Sequence, residues 1–177
     1  MQENRIQENQ IQENQITEIQ AAEIHKRLNG GEIIRLKSRA AEQTFELGHL
    51  LGESCSRGQI FTLIGDLGAG KTVFTQGFAA GLGITEPVSS PTFTILQIYE
   101  EGRLPFYHFD VYRIADVEEM EEIGYEDCFY GEGVCLIEWA NLIEEILPEQ
   151  YIRVMIERKP EKGFDYREIT VSRNGVI

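Results

Sequence analysis

Hydrophobic residues enter the chain in an unproductive pattern. Residues 2 to 16 are three pentads, QENRI, QENQI and QENQI, which set Ile6, Ile11 and Ile16 five positions apart. At about 100° per helical residue each Ile turns roughly 140° from the one before, and an odd step alternates the faces of a strand, so neither element gains an apolar face. Residues 1–18 therefore read as a disordered, low-complexity tail and 19–177 as one domain. Within that domain the pattern becomes productive. The run 16–28 reads as a short helix stopped at Asn29-Gly30-Gly31, and 32–36 as an edge strand. Ser38 is a candidate N-cap for a helix whose Ala41, Phe45, Gly48 and Leu51 share one face. Residues 59–64 form an apolar β-type run that ends in a glycine-rich turn. Val73, Phe74, Phe78 and Leu82 then repeat at helical spacing up to Gly83, placed as a C′ residue. Later strand candidates are 104–109, 134–137, 151–156 and 167–171. Strands alternating with helices early and hairpin-like strands late predict an α/β fold. Its layers are a central mixed sheet, with a parallel core and an antiparallel extension, flanked by helices.

Composition narrows the functional classes. The 177 residues include 30 acidic and 16 Lys or Arg side chains, a net charge of −14. Four Glu against Arg5 give the tail −3, so −11 belongs to the domain. Direct nucleic-acid binding is not expected, because neutralising phosphates needs a basic footprint. No run approaches the roughly 20 apolar residues that span a bilayer. The N-terminus lacks a basic stub followed by an apolar stretch. Cys55, Cys128 and Cys135 are an odd count without CxxC spacing. A cytoplasmic protein without membrane contact is expected.

The chemistry is carried by Gly65-Asp66-Leu67-Gly68-Ala69-Gly70-Lys71-Thr72, an intact GxxxxGK[ST] lying between an apolar strand and an amphipathic helix, the context that the motif requires. Glycines let successive backbone N–H groups converge on phosphate oxygens, and the helix N-terminus adds partial positive charge. Lys71 is expected to reach the β- and γ-phosphates and the Thr72 hydroxyl to ligate Mg²⁺. An acid at the end of a neighbouring strand must complete the metal site. Glu138 follows Val134–Ile137 and Asp110 follows Phe106–Phe109; Glu138 is favoured for the metal, and Asp110 for positioning water or a switch segment. No Asn-Lys-x-Asp guanine signature occurs, which favours ATP. Between Lys71 and Arg153 the only basic side chains are Arg103 and Arg113, so transition-state charge is under-supplied and weak autonomous turnover is expected. Two polar neighbours of these motifs also invite a role: His108 shares a strand face with Asp110 and is a candidate to orient it, and Arg113 is a candidate to pair with a carboxylate.

GDLGAGKT (65–72), SSPTFT (89–94), YHFDVYR (107–113) and IEW (137–139), in this order over roughly residues 38–172, resemble the TsaE (YjeE-like) P-loop ATPases of tRNA threonylcarbamoyladenosine formation. The resemblance implies an ATP-binding, Mg²⁺-dependent ATPase of the cytoplasm that acts on a complex of the TsaD and TsaB proteins. Carried over residue by residue, it implies that Gly65, Gly68, Ala69, Gly70, Lys71, Thr72 and Val73 hold the nucleotide, with Thr72 and Glu138 at the metal. It makes Thr92 a switch residue near the γ-phosphate and Asp110 a second catalytic acid. Trp139 falls at the site or a partner surface, and Arg167 near the nucleotide. Two positions depart from the pattern: Val73 replaces a frequent hydroxyl residue, and Ala140 a frequent Pro. The alternatives are a small P-loop kinase acting on a nucleoside or other small molecule, for which no arginine-rich lid is evident, and a nucleotide-dependent binding module without turnover.

Overall fold

The computed structural model describes residues 14–16 and 19–174. Eight strands are joined in one sheet: β1 (Asn14–Gln15), β2 (Ile34–Ser38), β3 (Ile60–Ile64), β4 (Leu96–Tyr99), β5 (Phe106–Asp110), β6 (Val134–Glu138), β7 (Ile152–Arg158) and β8 (Arg167–Arg173). Their spatial order is β1-β2-β8-β7-β3-β6-β5-β4. The four central strands β7-β3-β6-β5 are parallel; β8 pairs antiparallel with both β7 and β2, β4 pairs antiparallel with β5, and β1 pairs parallel with β2. Two of the parallel strands, β3 (IFTLI) and β6 (VCLIE), are nearly continuous apolar runs, as a sheet covered on both faces requires, and β6 is buried at every position.

Alternation along the strands divides the core into two layers. Phe61, Leu63, Phe106, Val134 and Leu136 face one side with Phe74 and Phe78 of α3 (Lys71–Gly81) and Leu47 and Leu51 of α2 (Ala41–Ser54). Ile60, Phe109, Cys135 and Ile137 face the other, against Met120, Tyr125 and Phe129 of two short helices, α4 (Glu118–Glu122) and α5 (Tyr125–Phe129). This is the expected α/β architecture of P-loop type.

The two helices over the first face approach one another through glycines. A Cβ on Gly48 or Gly52 of α2 would lie 2.1 Å from Phe74 O or 2.0 Å from Phe78 O, and one on Gly77 or Gly81 of α3 would lie 2.0 Å from Phe45 O or 2.2 Å from His49 O. The helices thus meet backbone to backbone, which fixes the position of α3 over the sheet and of the loop that begins it.

Several sequence expectations are corrected. The tail does not extend to residue 18 without structure: Asn14 and Gln15 pair in parallel with Leu36 and Lys37, and Ile16 is buried. A two-residue strand needs no repeating face, so the pentad argument does not reach it. The rest of the expected tail, 1–13 and 17–18, and residues 175–177 lie outside the described residues. Because β1 adds to the sheet there, β2 is not an edge strand. The first helix, α1, spans only Ala21–Asn29. Ser38 ends β2 rather than capping α2, its hydroxyl bonding Ala40 O and Thr44 Oγ1. The buried face of α2 is Thr44, Leu47, Gly48, Leu51 and Gly52, while Ala41 is exposed.

Candidate nucleotide site

β3 is buried over four of its five residues and delivers its C-terminal end directly into the loop 65–70. Gly68 at φ +75° and Gly70 at φ +111° occupy the left-handed region that side chains avoid. Gly70 is also the N-cap of α3 and offers no side chain to its first-turn N–H groups. A helix start whose first N–H groups receive no cap from the N-cap residue suits a phosphate group. A Cβ on Gly65 would meet Ile156 O at 2.6 Å, so the loop also sits tightly on β7.

Lys71 opens α3 and is buried. Its ammonium donates to Gly65 O at 2.6 Å and Asp66 O at 3.1 Å and lies 4.4 Å from the centre of the Trp139 ring. Burial lowers its pKa below the ordinary lysine value, opposed by the charges of Glu138, Asp110 and Asp66. Trp139 itself adopts φ +61° and carries Tyr112 against its ring at 4.8 Å. Among the described residues Trp139 and Ile95 are the two non-glycine positions at positive φ, and Trp139 lines the site.

Parallel register brings the two acids together. Asp110 on β5 pairs with Glu138 on β6, and Glu138 pairs with Leu63 on β3, one residue before the end of the strand that feeds the loop. Both acids are buried, and their surroundings differ. Asp110 Oδ2 accepts from Ser90 Oγ and, at 3.1 Å, from Thr92 Oγ1, while Oδ1 accepts from the Tyr112 N–H. Asp110 is thereby the anchor of the 89–94 loop. Glu138 Oε1 bonds His108 Nε2 at 2.9 Å. His108 therefore bonds the other acid from the one that its strand face suggested, because the strand across from it carries Glu138 two residues beyond its own register partner.

These groups line one cleft of about 480 Å³, formed by Leu67, Gly68, Gly70, Lys71, Thr72, Val73, Ser90, Thr92, Asp110, Tyr112, Glu138 and Trp139. Lys71 is the one basic side chain among them. Of the residues expected from sequence, Gly65, Ala69 and Arg167 do not line it. Gly65 directly follows β3, and Ala69 is buried. Arg167 on β8 donates to Ala69 O at 2.7 Å and to Phe164 O and Tyr166 O, so it supports the loop from behind. Arg113 is not paired with a carboxylate; its guanidinium lies over the Phe93 ring at 4.4 Å. Ser90 and Tyr112 are additional cleft residues. Ser90 lay inside the quoted SSPTFT string, but its bond to Asp110 spans twenty positions, and the string carries no sign of it.

The family model described as "Threonylcarbamoyl adenosine biosynthesis protein TsaE" matches residues 38–169, which include every element of the cleft. The chain belongs to the TsaE family. A relative from Bacillus subtilis, named tRNA threonylcarbamoyladenosine biosynthesis protein TsaE, is 52% identical over 134 residues, covering 76% of this chain and 82% of its own. One of the same name from Treponema pallidum is 43% identical over 139 residues, 78% of this chain and all of its own. The crystal structure of YdiB from Bacillus subtilis superposes with a TM-score of 0.70 at 42% identity, over 82% of this chain and 88% of that one. Among the described residues of this TsaE-family chain, no helix is long and apolar enough to cross a membrane.

Proposed function

We propose that the chain is a Mg²⁺-dependent ATPase subunit required for threonylcarbamoyladenosine modification of tRNA, acting on a complex of TsaD and TsaB and turning over weakly alone. The observation that carries this reading is the single cleft in which a glycine-lined helix N-terminus, Lys71, Thr72 and two buried strand-end carboxylates converge.

The residues fit the groups they are asked to hold. The left-handed glycines at 68 and 70 keep Cβ atoms off the loop at those two positions, and the backbone donors at the start of α3 suit phosphate oxygens. Lys71 is held by neutral carbonyls that a phosphate can replace. Mg²⁺ bound with ATP keeps several waters and needs few protein ligands, so Thr72 and Glu138, both hard oxygen donors, are a sufficient set. Bound there, Mg²⁺ would neutralise charge on the phosphates. Asp110, with both oxygens committed to Ser90, Thr92 and the Tyr112 N–H, is suited to hold Thr92 at the cleft mouth, and this leaves Glu138 as the acid for the metal. One lysine is a sparse supply of positive charge for phosphoryl transfer, where a further cation is often worth several orders of magnitude in rate. That sparsity supports the dependence on a partner. The relatives' shared name supports tRNA threonylcarbamoyladenosine formation as the pathway; a cytoplasmic location is part of the proposal.

Phosphate release from Mg·ATP, measured with and without purified TsaD and TsaB, tests the reading. Slow release that rises on adding both proteins is expected. Phosphoryl transfer to a nucleoside would point to a kinase instead, and tight binding with no turnover in either condition to a binding module. Glu138→Ala should abolish Mg²⁺-dependent turnover with the fold intact; a larger loss of metal affinity in Asp110→Ala would reverse the roles given to the two acids.

A further inference from the structure

His108 is a polar side chain in an apolar layer. It projects from β5 onto the sheet face shared with Phe106, Leu136 and Leu63, is wholly buried, and stacks on Phe106 at 5.7 Å with the rings 8° from parallel. A leucine or phenylalanine there would fill the space without the cost of burying an imidazole. The ring makes one hydrogen bond, Nε2 to Glu138 Oε1 at 2.9 Å, and its Nδ1 is buried with no partner.

The two neutral tautomers of the ring are unequal. With the hydrogen on Nε2, the ring donates to the carboxylate and leaves Nδ1 as an unfilled acceptor. With the hydrogen on Nδ1, a buried N–H has no acceptor and two lone pairs face one another at 2.9 Å. The Nε2–H tautomer is the one that the surroundings satisfy best. The donor reaches Glu138 diagonally across the strands: His108 is in register with Leu136 and Asp110 with Glu138, so His108 and Glu138 share a face one step apart. Glu138 is thus gripped at one oxygen by a ring that is itself fixed by stacking.

We propose that His108 is a positioning residue, which by donating Nε2–H to Oε1 fixes the Glu138 carboxylate so that its other oxygen is presented to the metal of the bound nucleotide. The proposal rests on the ATPase reading and adds a residue to it. His108 touches neither nucleotide nor metal, and it acts through Glu138. Partners of this kind typically alter metal affinity or activity by about 10- to 100-fold when removed.

The wild-type chain gives the first test. Two-bond ¹H–¹⁵N correlation spectra of its imidazoles should show His108 protonated at Nε2, with a signal that moves on adding Mg·ADP and stays in place with ADP and EDTA. An Nδ1-protonated ring, or a signal indifferent to Mg²⁺, overturns the proposal. Titrating Mg²⁺ into protein with a fluorescent ADP analogue gives the second. His108→Leu should need about tenfold more Mg²⁺ or beyond for half-saturation, with unchanged analogue affinity in EDTA. His108→Gln, which keeps an N–H donor near the Nε2 position, should recover most of the loss. Equal Mg²⁺ requirements in the wild type and a folded His108→Leu overturn the proposal, and a His108→Leu that does not fold leaves the decision to the spectra. Failure of the ATPase reading is told apart because it shows in the wild type, as an absence of nucleotide binding before any substitution is made.

Discussion

Gly77→Ala separates two physical effects by their sign. Helix propensity alone makes alanine in the interior of α3 more favourable than glycine by about 1 kcal/mol. Packing acts the other way. The new Cβ would stand 2.0 Å from Phe45 O, 2.8 Å from its carbonyl carbon and 3.0 Å from its Cα, all backbone atoms that no rotamer change can move. Ordinary contact at 3.4 Å requires the oxygen to recede by about 1.4 Å, which means displacing α2 as a body. Gly48, Gly52 and Gly81 hold the same two helices at the same close approach, so a gap opened at Gly77 runs along the seam, past Leu47, Leu51, Phe74 and Phe78. A radial gap of 0.5–1 Å forfeits about a quarter to a half of each dispersion contact. Overpacking of this kind costs about 1–3 kcal/mol, occasionally more; a rigid backbone neighbour puts the case at the upper end, for a net loss of about 2 kcal/mol after the propensity gain. Thermal unfolding followed by circular dichroism should show a midpoint lowered by about 4–8 °C for a chain of this size. Gln76→Ala, at the exposed neighbouring position, should stay within about 0.5 kcal/mol. A raised or unchanged midpoint for Gly77→Ala would refute the packing argument, since propensity would then have won. Because α3 begins with Lys71 and Thr72, nucleotide affinity should fall with stability.

Three further outcomes are expected. Lys71→Ala should remove most of the affinity for ATP. In the wild type, affinity should decline on the alkaline side before the ordinary lysine value of 10.5, because burial lowers the folded-state pKa. The same depression means that the unfolded chain holds this proton more tightly, so the contribution of Lys71 to stability is least favourable below the lowered value and improves as pH rises through it towards 10.5; a midpoint series against pH in Lys71→Met and the wild type should show that difference. Trp139 is the sole tryptophan, with the Lys71 ammonium 4.4 Å from its ring centre, so its emission should change when Mg·ATP draws the lysine away, and Lys71→Ala should show an altered emission without nucleotide. All three thiols are buried, and burial raises their pKa values, that of Cys55 to about 11 despite the opposing Arg103 beside it. A disulfide exchange reagent at pH 8 should therefore label the native chain slowly and all three cysteines once it is unfolded, and rapid labelling of the folded chain would contradict the burial.

What could be read from the sequence was whatever a short contiguous stretch decides. The GxxxxGK[ST] loop, the apolar strand ahead of it and the helix behind it lie within two dozen residues, and each local preference agrees with the others. The α2 face was read correctly at Gly48 and Leu51 and missed at Gly52, which carries no hydropathy signal, and at Thr44, which is polar but bonded to Ser38. β4 went unread because two of its four residues, Gln97 and Ile98, are exposed and it directly follows a residue at positive φ. Burial of Ile16 depends on pairing with Leu36 and its neighbours, twenty residues away, which no pentad period contains.

The site shows the same boundary from the chemical side. Strand-end acids were legible as candidates, but their division of labour was not, because it is set by register. Shifting β5 against β6 by one residue would turn His108 to the opposite face and leave Glu138 without its donor. Register also decides what the cleft does with its charge. Lys71 stands near two buried carboxylates, yet its donors go to Gly65 O and Asp66 O, while Asp110 is committed to Ser90, Thr92 and Tyr112 and Glu138 to His108. A lysine locked to either acid would have to surrender a charged partner before meeting a phosphate, and a buried pair broken on one side is costly. Here each carboxylate already has a donor other than the lysine, and the ammonium rests on carbonyls that a phosphate oxygen can displace.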